Sequence, residues 1–288
     1  MRSYLQEGRQ PAVAWCEPDE EYDITDPAAL HRMLEQHEPD WIVHLAAQSH
    51  VPTSWECPAQ TIALNAGGTA TLLQVLSEAG FKGRLLYVSS ADVYGAVPEA
   101  ELPVTEERAP APRNPYASSK VAAEVLCRQW AITRPLDVVI ARPFNHTGAG
   151  QRADFVLPSF ARELARIRRR GGPAQLQAGD IDVTRDFLDV RDVVAAYLAL
   201  LESGRTGEIY NVCSGREVLL KDALALLMQA AGVEAEVVTD ASRLRPAEQR
   251  RMCGSHQKLT DTTGWQPRVA WRDTLAALVD HWMQERLE

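Results

Sequence analysis

The stretch DPAALHRMLEQHEPDWIVHLAA, residues 26–47, decides the fold of this chain. Asp26 suits the N-cap of a helix, Pro27 suits its first position, and Pro39 ends the helical pattern. An apolar run follows over residues 41–47, of the kind that forms a strand buried on both faces of a sheet. A helix that leads directly into such a strand indicates an α/β protein with a parallel sheet.

The same alternation extends in both directions from this stretch. Further strands are predicted at residues 12–15, 84–89, 136–142, 208–212 and 235–238. Further helices are predicted at residues 68–78, 116–130, 155–170, 219–231 and 271–287. We therefore predict an α/β fold with a doubly wound parallel sheet in residues 1–143. Residues 144–288 are predicted to form a smaller α/β substrate-binding part, with some segments returning to the sheet.

Composition excludes several classes of protein. The chain has 288 residues, 45% of them hydrophobic, and a formal net charge of -9, which disfavours a nucleic-acid or anionic-membrane partner. No apolar run reaches the length of a membrane span, so we expect a soluble protein. The cysteines are odd in number and show no CxxC pair, so we expect no disulfide framework, no metal site and a cytoplasmic location. They are Cys16, Cys57, Cys127, Cys213 and Cys253.

A tyrosine and a lysine stand four residues apart near the start of the helix predicted at 116–130. At this spacing Tyr116 and Lys120 project from the same face of a helix. An ammonium group beside a phenol favours the phenolate, so we expect Lys120 to lower the pKa of Tyr116. The pair is a candidate for proton donation or abstraction near neutral pH.

A serine follows the strand predicted at 84–89. Open α/β sheets keep their active sites at the carboxyl ends of their parallel strands, where Ser90 would lie. Its hydroxyl could hydrogen-bond a carbonyl oxygen of a substrate, although serines at strand ends more often serve turns. Asp92, two residues later, is a candidate auxiliary group.

Together, Ser90, Tyr116 and Lys120 resemble the catalytic triad of the extended short-chain dehydrogenase/reductases, the NAD-dependent epimerase/dehydratase family. WIVHLAAQSHV at 41–51, NAGGT at 65–69 and RPFNH at 142–146 resemble further family motifs in the family's order. The resemblance implies a Rossmann-type sheet, a reduced NADP or NAD cofactor, and a homodimer formed through the helices that start near Gly68 and Tyr116. The implied cofactor contacts are Asp23, Ile24, Ala46, Ala47, Asn65, Tyr116, Lys120 and Arg142.

The second half of the chain resembles a narrower group within this family. RPFNHTGAGQ (142–151), GDIDVTRDFLDVRDVV (179–194), YNVCSG (210–215) and RPAEQRRMCGSH (245–256) are similar to segments of the GDP-4-keto-6-deoxy-D-mannose reductases. This resemblance implies that Asn145 and Arg185 hold the sugar diphosphate. It implies that Arg245 and Glu248 hold the ribose and base. The run Arg168-Arg169-Arg170, by contrast, is interpreted as a solvated helix end.

The resemblance implies reduction of the 4-keto group of GDP-4-keto-6-deoxy-D-mannose to GDP-D-rhamnose, with NAD(P)H as hydride donor and Tyr116 as proton donor. Two related reactions are alternatives. GDP-mannose 4,6-dehydratases carry a Glu two residues after the Ser or Thr, where this chain has the shorter Asp92. Nucleotide-sugar 4-epimerases share the triad but generally lack a segment like RPAEQRR.

The family's first strand and its TGxxGxxG loop have no counterpart in this sequence, in which Gly8 is the only glycine among the first 66 residues. That loop normally holds the cofactor pyrophosphate. We expect a start assigned too far downstream. A nucleotide-sugar-binding protein without catalytic activity is the alternative of a different class. Glu17 and Asp19 favour NADH electrostatically, although both would also suit a solvated loop.

Overall fold

A computed structural model describes residue 14 and residues 22–171, 174–241 and 249–285. Its central element is a parallel sheet whose strands follow the order β1-β2-β3-β7. These strands are β1 (Trp41–His44), β2 (Arg84–Val88), β3 (Asp137–Pro143) and β7 (Ile209–Val212). All four coincide with predicted strands, with ends shifted by one to three residues. Apart from Ala14, the strand predicted at 12–15 lies outside the described residues.

Helices cover both faces of this sheet. On the first face lie α1 (Pro27–His37), α4 (Gly68–Glu78) and α5 (Pro115–Thr133), and on the second face lies α7 (Val190–Ser203). Alternate residues of β2 divide between the two cores, because successive strand side chains point to opposite faces. Leu85 and Tyr87 join the first core, whereas Leu86 and Val88 join the second. The predicted Rossmann-type doubly wound α/β fold is confirmed.

The helix predicted to begin at Gly68 belongs to a longer helical run. Two short helices, α2 (Val51–Glu56) and α3 (Pro58–Ile62), precede a π-helical turn at Ala63–Gly67, which leads directly into α4. Asn65 therefore lies inside a π-helical turn and not at a helix start. Such turns are rare and occur frequently at functional sites.

Three helices build a third core beside the sheet. They are α6 (Val156–Arg170), α8 (Leu220–Ala231) and α10 (Trp271–Gln284). Beside them are β5 (Gln175–Ala178) paired with β9 (Glu236–Thr239), and a small sheet of β4 (Asn145–Thr147), β6 (Thr184–Asp189) and β8 (Glu217–Leu219). A further short helix, α9 (Gln257–Thr263), packs near β7. The predicted helices are found here, but α2, α3, α7, α9 and the strands of the small sheet were not predicted.

The arginines that end α6 are exposed, and two of them also bind neighbouring helices. Arg168 donates a hydrogen bond to the carbonyl oxygen of Ala231, the last residue of α8. Arg169 donates to the carbonyl oxygens of Met283 at 2.8 Å and Glu285 at 2.6 Å. The three arginines are exposed in the last turn of α6, as predicted, and two of them also satisfy carbonyl groups at the ends of neighbouring helices. None of the helices in the described ranges is long and apolar enough to cross a membrane.

Candidate active site

Ser90 lies directly beyond the carboxyl end of β2, as the sequence predicts. It is the N-cap of a short 3-10 helix at Ala91–Tyr94, and its Oγ accepts a hydrogen bond from the Asp92 backbone N–H at 3.2 Å. Gly95 ends this helix with φ +62°, and a Cβ built there would lie 1.8 Å from the Ala111 carbonyl oxygen. The turn that presents Ser90 therefore requires glycine at this position.

Helix α5 brings Tyr116 and Lys120 to the same edge of the sheet. The Asn114 side chain caps this helix by accepting a hydrogen bond from the Ala117 N–H at 2.7 Å. Lys120 is buried, and its Nζ donates a hydrogen bond to the Val88 carbonyl oxygen at 2.8 Å. The structure thus places Lys120 against the last residue of β2, two residues before Ser90.

Tyr116 is held as a neutral phenol. Burial raises the pKa of Tyr116 to about 12, outweighing a hydrogen bond with the Ser90 side chain, and the nearby Asp92 carboxylate raises it further. The prediction that Lys120 lowers this pKa is wrong. The Lys120 ammonium is directed at the Val88 carbonyl, and it lies 5.1 Å from the centroid of the Tyr87 ring. A neutral phenol at the end of β2 is a proton donor.

Asn65 connects the turn after β1 to helix α5, which carries the candidate residues Tyr116 and Lys120. Its Oδ1 accepts a hydrogen bond from the Gln48 N–H at 2.8 Å, and its Nδ2 donates to the Gln48 carbonyl at 3.0 Å. The same Nδ2 donates to Ser119 Oγ at 2.9 Å, and Ser119 lies between Tyr116 and Lys120 along the helix. Asn65 is 2% exposed, so these bonds are shielded from water.

His44, at the end of β1, is a buried histidine that the sequence prediction missed. Thr69 Oγ1 donates its one hydrogen to the Asn65 carbonyl at 2.6 Å. His44 Nε2, 3.0 Å from Thr69 Oγ1, must therefore be the protonated ring nitrogen. Burial, together with the charge of Lys120, lowers the pKa of His44 to about 3, so the imidazole is neutral.

The residues predicted to contact the adenine and the dinucleotide lie around the end of β1 and the start of α4. Ile24 is buried, and a Cβ built on Gly68 would lie 2.7 Å from Ile24 Cγ2. Asp23 Oδ1 accepts hydrogen bonds from the Thr25 N–H at 2.8 Å and from Thr25 Oγ1 at 2.7 Å. Ala46 is exposed and Ala47 half-buried in the turn that follows β1. Their cofactor contacts remain predictions.

Arg142 lies at the end of β3 in a buried ion pair. It is 2% exposed, and its Nε and Nη2 donate to the Glu124 carboxylate at 2.9 and 2.6 Å. These contacts are within the protein, and the predicted cofactor contact of Arg142 remains a prediction. Glu124 was not identified from the sequence, although it stands one helical turn after Lys120, at the spacing that joins Tyr116 to Lys120.

The predicted sugar-nucleotide residues that the structure describes lie on neighbouring strands. Asn145 is exposed at the start of β4 and pairs with Phe187 of β6, two residues beyond Arg185. Arg185 is half-buried, and its Nη1 donates to the carbonyl oxygens of Thr184 and Gln249 at 2.7 and 2.8 Å. Arg245 and Glu248 lie outside the described residues.

Asp186, beside Arg185, holds two loops that the sequence did not connect. Its carboxylate accepts hydrogen bonds from the backbone N–H groups of Ser214 at 2.7 Å, Gly215 at 3.0 Å and Gly254 at 3.1 Å. Burial raises the pKa of Asp186, although these hydrogen bonds oppose the shift. Asp186 thereby joins β6 to the YNVCSG and RPAEQRRMCGSH segments, which lie far apart in sequence.

Comparisons with known proteins agree with this geometry. The sequence model of the GDP-mannose 4,6 dehydratase family matches residues 20–278. The chain is 48% identical over 282 residues to GDP-6-deoxy-D-mannose reductase of Pseudomonas aeruginosa, covering 98% of this chain and 92% of the relative. It is 31% identical to dTDP-glucose 4,6-dehydratase of Streptomyces niveus, covering 92% of this chain and 75% of the relative.

A solved structure agrees over the same length. RMD from Pseudomonas aeruginosa complexed with NADPH superposes with a TM-score of 0.92 at 48% identity, covering 98% of this chain and 92% of that chain. The sheet topology, the Ser-Tyr-Lys arrangement and these similarities lead to one conclusion. The chain belongs to the GDP-mannose 4,6-dehydratase family.

Proposed function

We propose that this chain reduces the 4-keto group of GDP-4-keto-6-deoxy-D-mannose to the alcohol of GDP-D-rhamnose, with NADPH or NADH as reductant. The observation that carries the proposal is Tyr116, a buried phenol whose pKa is raised to about 12 and which hydrogen-bonds the side chain of Ser90. Reduction of a ketone needs a proton donor at the developing alkoxide, and a neutral phenol supplies one. The relative of 48% identity, a GDP-6-deoxy-D-mannose reductase, supports the same substrate.

The residues present fit a nicotinamide dinucleotide. Lys120 has three N–H donors, and within the described residues one of them is used, toward the Val88 carbonyl. The other donors suit the hydroxyl groups of the nicotinamide ribose. Leu45, at the end of β1, is an apolar residue that is 52% exposed where the dinucleotide would cross the sheet. A reduced nicotinamide, when bound, supplies the hydride for C4 of the sugar.

The protein's own residues supply and direct the proton. Tyr116 Oη donates its proton to the C4 oxygen as negative charge develops there. Ser90 Oγ accepts from the Asp92 N–H and keeps its own hydrogen for the substrate oxygen. Lys120 lies one helical turn from Tyr116 with its ammonium directed at the Val88 carbonyl, so its proposed role is to hold the nicotinamide ribose and not to set the pKa of the phenol. The ketone thus becomes an alcohol by gaining one hydride and one proton.

The sugar nucleotide would be held beyond this centre. Asn145 and Arg185 lie on adjacent strands of the small sheet, where an amide and a guanidinium suit diphosphate oxygens. Arg245 and Glu248 are proposed to bind the ribose and the base, since a carboxylate accepts from hydroxyl or amine donors.

Asp92 favours the proposed reduction over the dehydratase alternative. Elimination of water needs a base that reaches the carbon next to the keto group, and Asp92 is one methylene shorter than the Glu expected there. Its carboxylate lies near enough to Tyr116 to raise the pKa of that phenol, which maintains the proton donor. The same Asp favours reduction over 4-epimerisation, in which the tyrosine must first abstract a proton.

A direct assay tests the proposal. The purified chain is mixed with GDP-4-keto-6-deoxy-D-mannose and NADPH or NADH, and the loss of nicotinamide absorbance is followed. A deuterated reductant should place deuterium at C4 of GDP-D-rhamnose, detected by NMR. Water loss from GDP-mannose without added reductant would instead favour a dehydratase, and binding of GDP without turnover would favour a non-catalytic protein.

The homodimer is proposed to use a face formed by the helical run at 51–62 and α5. Along α5, Val125 is 62% exposed and Ile132 is 78% exposed on one side of the helix, and Trp55 of α2 is 62% exposed. Helices α2 and α3 pack directly against α5, so these side chains lie on adjoining elements. Gly68–Glu78, the other helix expected from the sequence at the dimer interface, packs against both α1 and α5. A second copy of the chain would cover this apolar surface.

The division near residue 143 and the cytoplasmic location are also proposals. Strand β3 ends at Pro143 and β4 begins at Asn145, whereas β7 returns to the main sheet from the second part. The described cysteines Cys57, Cys127, Cys213 and Cys253 are free thiols, which suits a reducing compartment.

A further inference from the structure

Glu124 is a buried carboxylate behind the catalytic residues, and the proposed mechanism does not use it. It is 3% exposed, and it lies in α5 one turn beyond Lys120. Its Oε1 accepts a hydrogen bond from Ser89 Oγ at 2.5 Å and from Arg142 Nε at 2.9 Å. Its Oε2 accepts from Arg142 Nη2 at 2.6 Å.

These bonds join the three elements that carry the site. Ser89 precedes the catalytic Ser90 at the end of β2, and Arg142 lies at the end of β3, three residues before Asn145. Helix α5 contributes Glu124 together with Tyr116 and Lys120. A bidentate guanidinium–carboxylate pair has a defined geometry, so it fixes the distance between α5 and the end of β3.

The network continues into β7 through aromatic and amide contacts. The Arg142 guanidinium lies 4.7 Å from the centroid of the Tyr94 ring, and Tyr94 belongs to the 3-10 helix that Ser90 caps. Tyr94 Oη donates to Asn211 Oδ1 at 2.7 Å. The turn that presents Ser90 is therefore held from both of its ends, by Glu124 through Ser89 and by Arg142 through Tyr94.

Glu124 also supplies negative charge near Lys120. Burial lowers the pKa of Lys120 to about 8, and Cys127 and Glu124 oppose this shift. Burial raises the pKa of Cys127, so that group is a neutral thiol near pH 8. The other titratable groups near Lys120 are also neutral in this range. They are His44 of β1, Tyr87 of β2 and Tyr116, one turn earlier in α5. Among the groups named here, the Glu124 carboxylate, paired with Arg142, is therefore the one that places negative charge near Lys120 in this pH range.

We propose that Glu124 is a positioning residue for the reduction: its carboxylate holds Ser89 and Arg142, and so keeps Ser90, Tyr116 and Lys120 in register. The inference rests on the proposed function for its kinetic consequence. Its electrostatic consequence can be measured on the protein without any substrate.

The first experiment measures the protonation of Lys120 directly. The chain contains four lysines, Lys82, Lys120, Lys221 and Lys258, so carbon-13 labelling at lysine Cε gives signals that single substitutions can assign. A pH titration by NMR compares the native chain with Glu124→Gln. The expected result is a lower Lys120 pKa in the variant, with the other three lysines unchanged.

The second experiment measures turnover with the keto sugar. Glu124→Gln should lower kcat by up to about 100-fold, because catalytic groups that shift by about 1 Å lose rate on this scale. KM for the sugar nucleotide should stay close to the native value. The alkaline limb of the kcat profile should move to lower pH, following the Lys120 pKa.

A matched control tests an ion pair on the same strands. Arg84 Nε donates to Asp137 Oδ2 at 2.8 Å and joins the amino ends of β2 and β3, opposite the catalytic edge. Asp137→Asn should leave kcat and the Lys120 pKa unchanged.

If Glu124→Gln does not fold, the double variant Glu124→Leu with Arg142→Met replaces it, because apolar residues often substitute for a buried ion pair without loss of stability. That double variant should fold and retain a lowered kcat with a near-native KM.

The possible results distinguish a failure of the Glu124 positioning role from a failure of the proposed function. An unchanged Lys120 pKa in Glu124→Gln, or native kcat in a folded Glu124 variant, overturns the positioning role. A lowered pKa together with lowered kcat supports it. Absence of turnover by the native chain would defeat the proposed function alone, and the NMR titration would then still decide whether Glu124 sets the charge of Lys120.

Discussion

Asn65 Nδ2 donates a hydrogen bond to Ser119 Oγ at 2.9 Å, between a π-helical turn and the catalytic helix α5. Ser119 Oγ in turn donates to the Tyr116 carbonyl oxygen at 2.7 Å. The turn after β1, where the dinucleotide is proposed to bind, is thus connected to the backbone of Tyr116, the proposed proton donor. The two residues are 54 positions apart, and the π-helical geometry brings the Asn65 side chain to this place.

Asn65→Ala should therefore destabilise the chain and lower kcat together. The change leaves the Gln48 N–H and carbonyl without their partner, and each buried unsatisfied group costs about 1–3 kcal/mol. Urea unfolding measures the loss of stability. Gln74→Ala is the control, since its exposed Nε2 bonds only to Glu78 at 2.8 Å. That variant should stay within about 0.5 kcal/mol of the native chain. Equal stability of the two variants would contradict the structural role of Asn65.

Tyr116→Phe should abolish most turnover without weakening substrate binding. Loss of a positioned proton donor lowers kcat by about 100- to 10,000-fold. The ring remains and fills the same space, so titration calorimetry should find a GDP-sugar affinity close to that of the native chain. Near-native turnover by this variant would show that another group donates the proton.

Gly68→Ala should destabilise the chain, whereas Gly67→Ala should not. A Cβ at Gly68 would lie 2.7 Å from Ile24 Cγ2, whereas one at Gly67 would have no atom within 4 Å. Overpacking of this kind costs about 1–3 kcal/mol. Alanine at a helical glycine without a clash stabilises by about 0.5–1 kcal/mol. Thermal unfolding compares the variants. Ile24→Ala should cost less stability in the Gly68→Ala background than in the native chain, and equal costs in the two backgrounds would exclude this contact as the cause.

His44 should make the chain less stable as the pH falls. Burial lowers the folded pKa to about 3 from a usual 6.5, so protonation favours the unfolded chain. Its stabilising contribution is complete above about pH 6.5 and decreases as the pH falls toward 3. Between about pH 7 and about pH 4.5 the loss should be about 2–3 kcal/mol.

His44→Gln should reduce this pH dependence, and urea unfolding at both pH values measures it. His50→Gln serves as the control, because His50 is exposed in the turn before α2. If His44→Gln retained the full acid-induced loss of stability, other groups would account for that loss.

Val125→Glu should convert the proposed homodimer to a monomer. The new carboxylate would have to be buried without a partner at the centre of the apolar face on α5. Light scattering after size exclusion measures the mass. Val237→Glu is the control, since Val237 is 37% exposed on β9, away from this face. A native chain that is monomeric at high concentration would contradict the proposed dimer.

The sequence by itself determined where the four strands of the main sheet and the helices α1, α4, α5, α6, α8 and α10 lie, but it did not predict α7. Asp26, Pro27 and the apolar strand residues act through capping and periodicity, which are local properties of the chain. Order and spacing also predicted Ser90, Tyr116 and Lys120 as candidate site residues, and the fold brings them to one edge of the sheet. The π-helical turn around Asn65 and the short strands near Arg185 were missed, because neither has a distinctive local pattern.

Only the tertiary structure decided the charges and partners of the site. The spacing of Tyr116 and Lys120 predicted a lowered phenol pKa, but burial of Tyr116 raises it instead. The Glu124–Arg142 pair joins residues 18 positions apart. The Asp186 carboxylate accepts hydrogen bonds from two loops that lie far apart in the sequence. Desolvation and long-range hydrogen bonds depend on which elements pack around a group, and spacing along the chain does not contain that information.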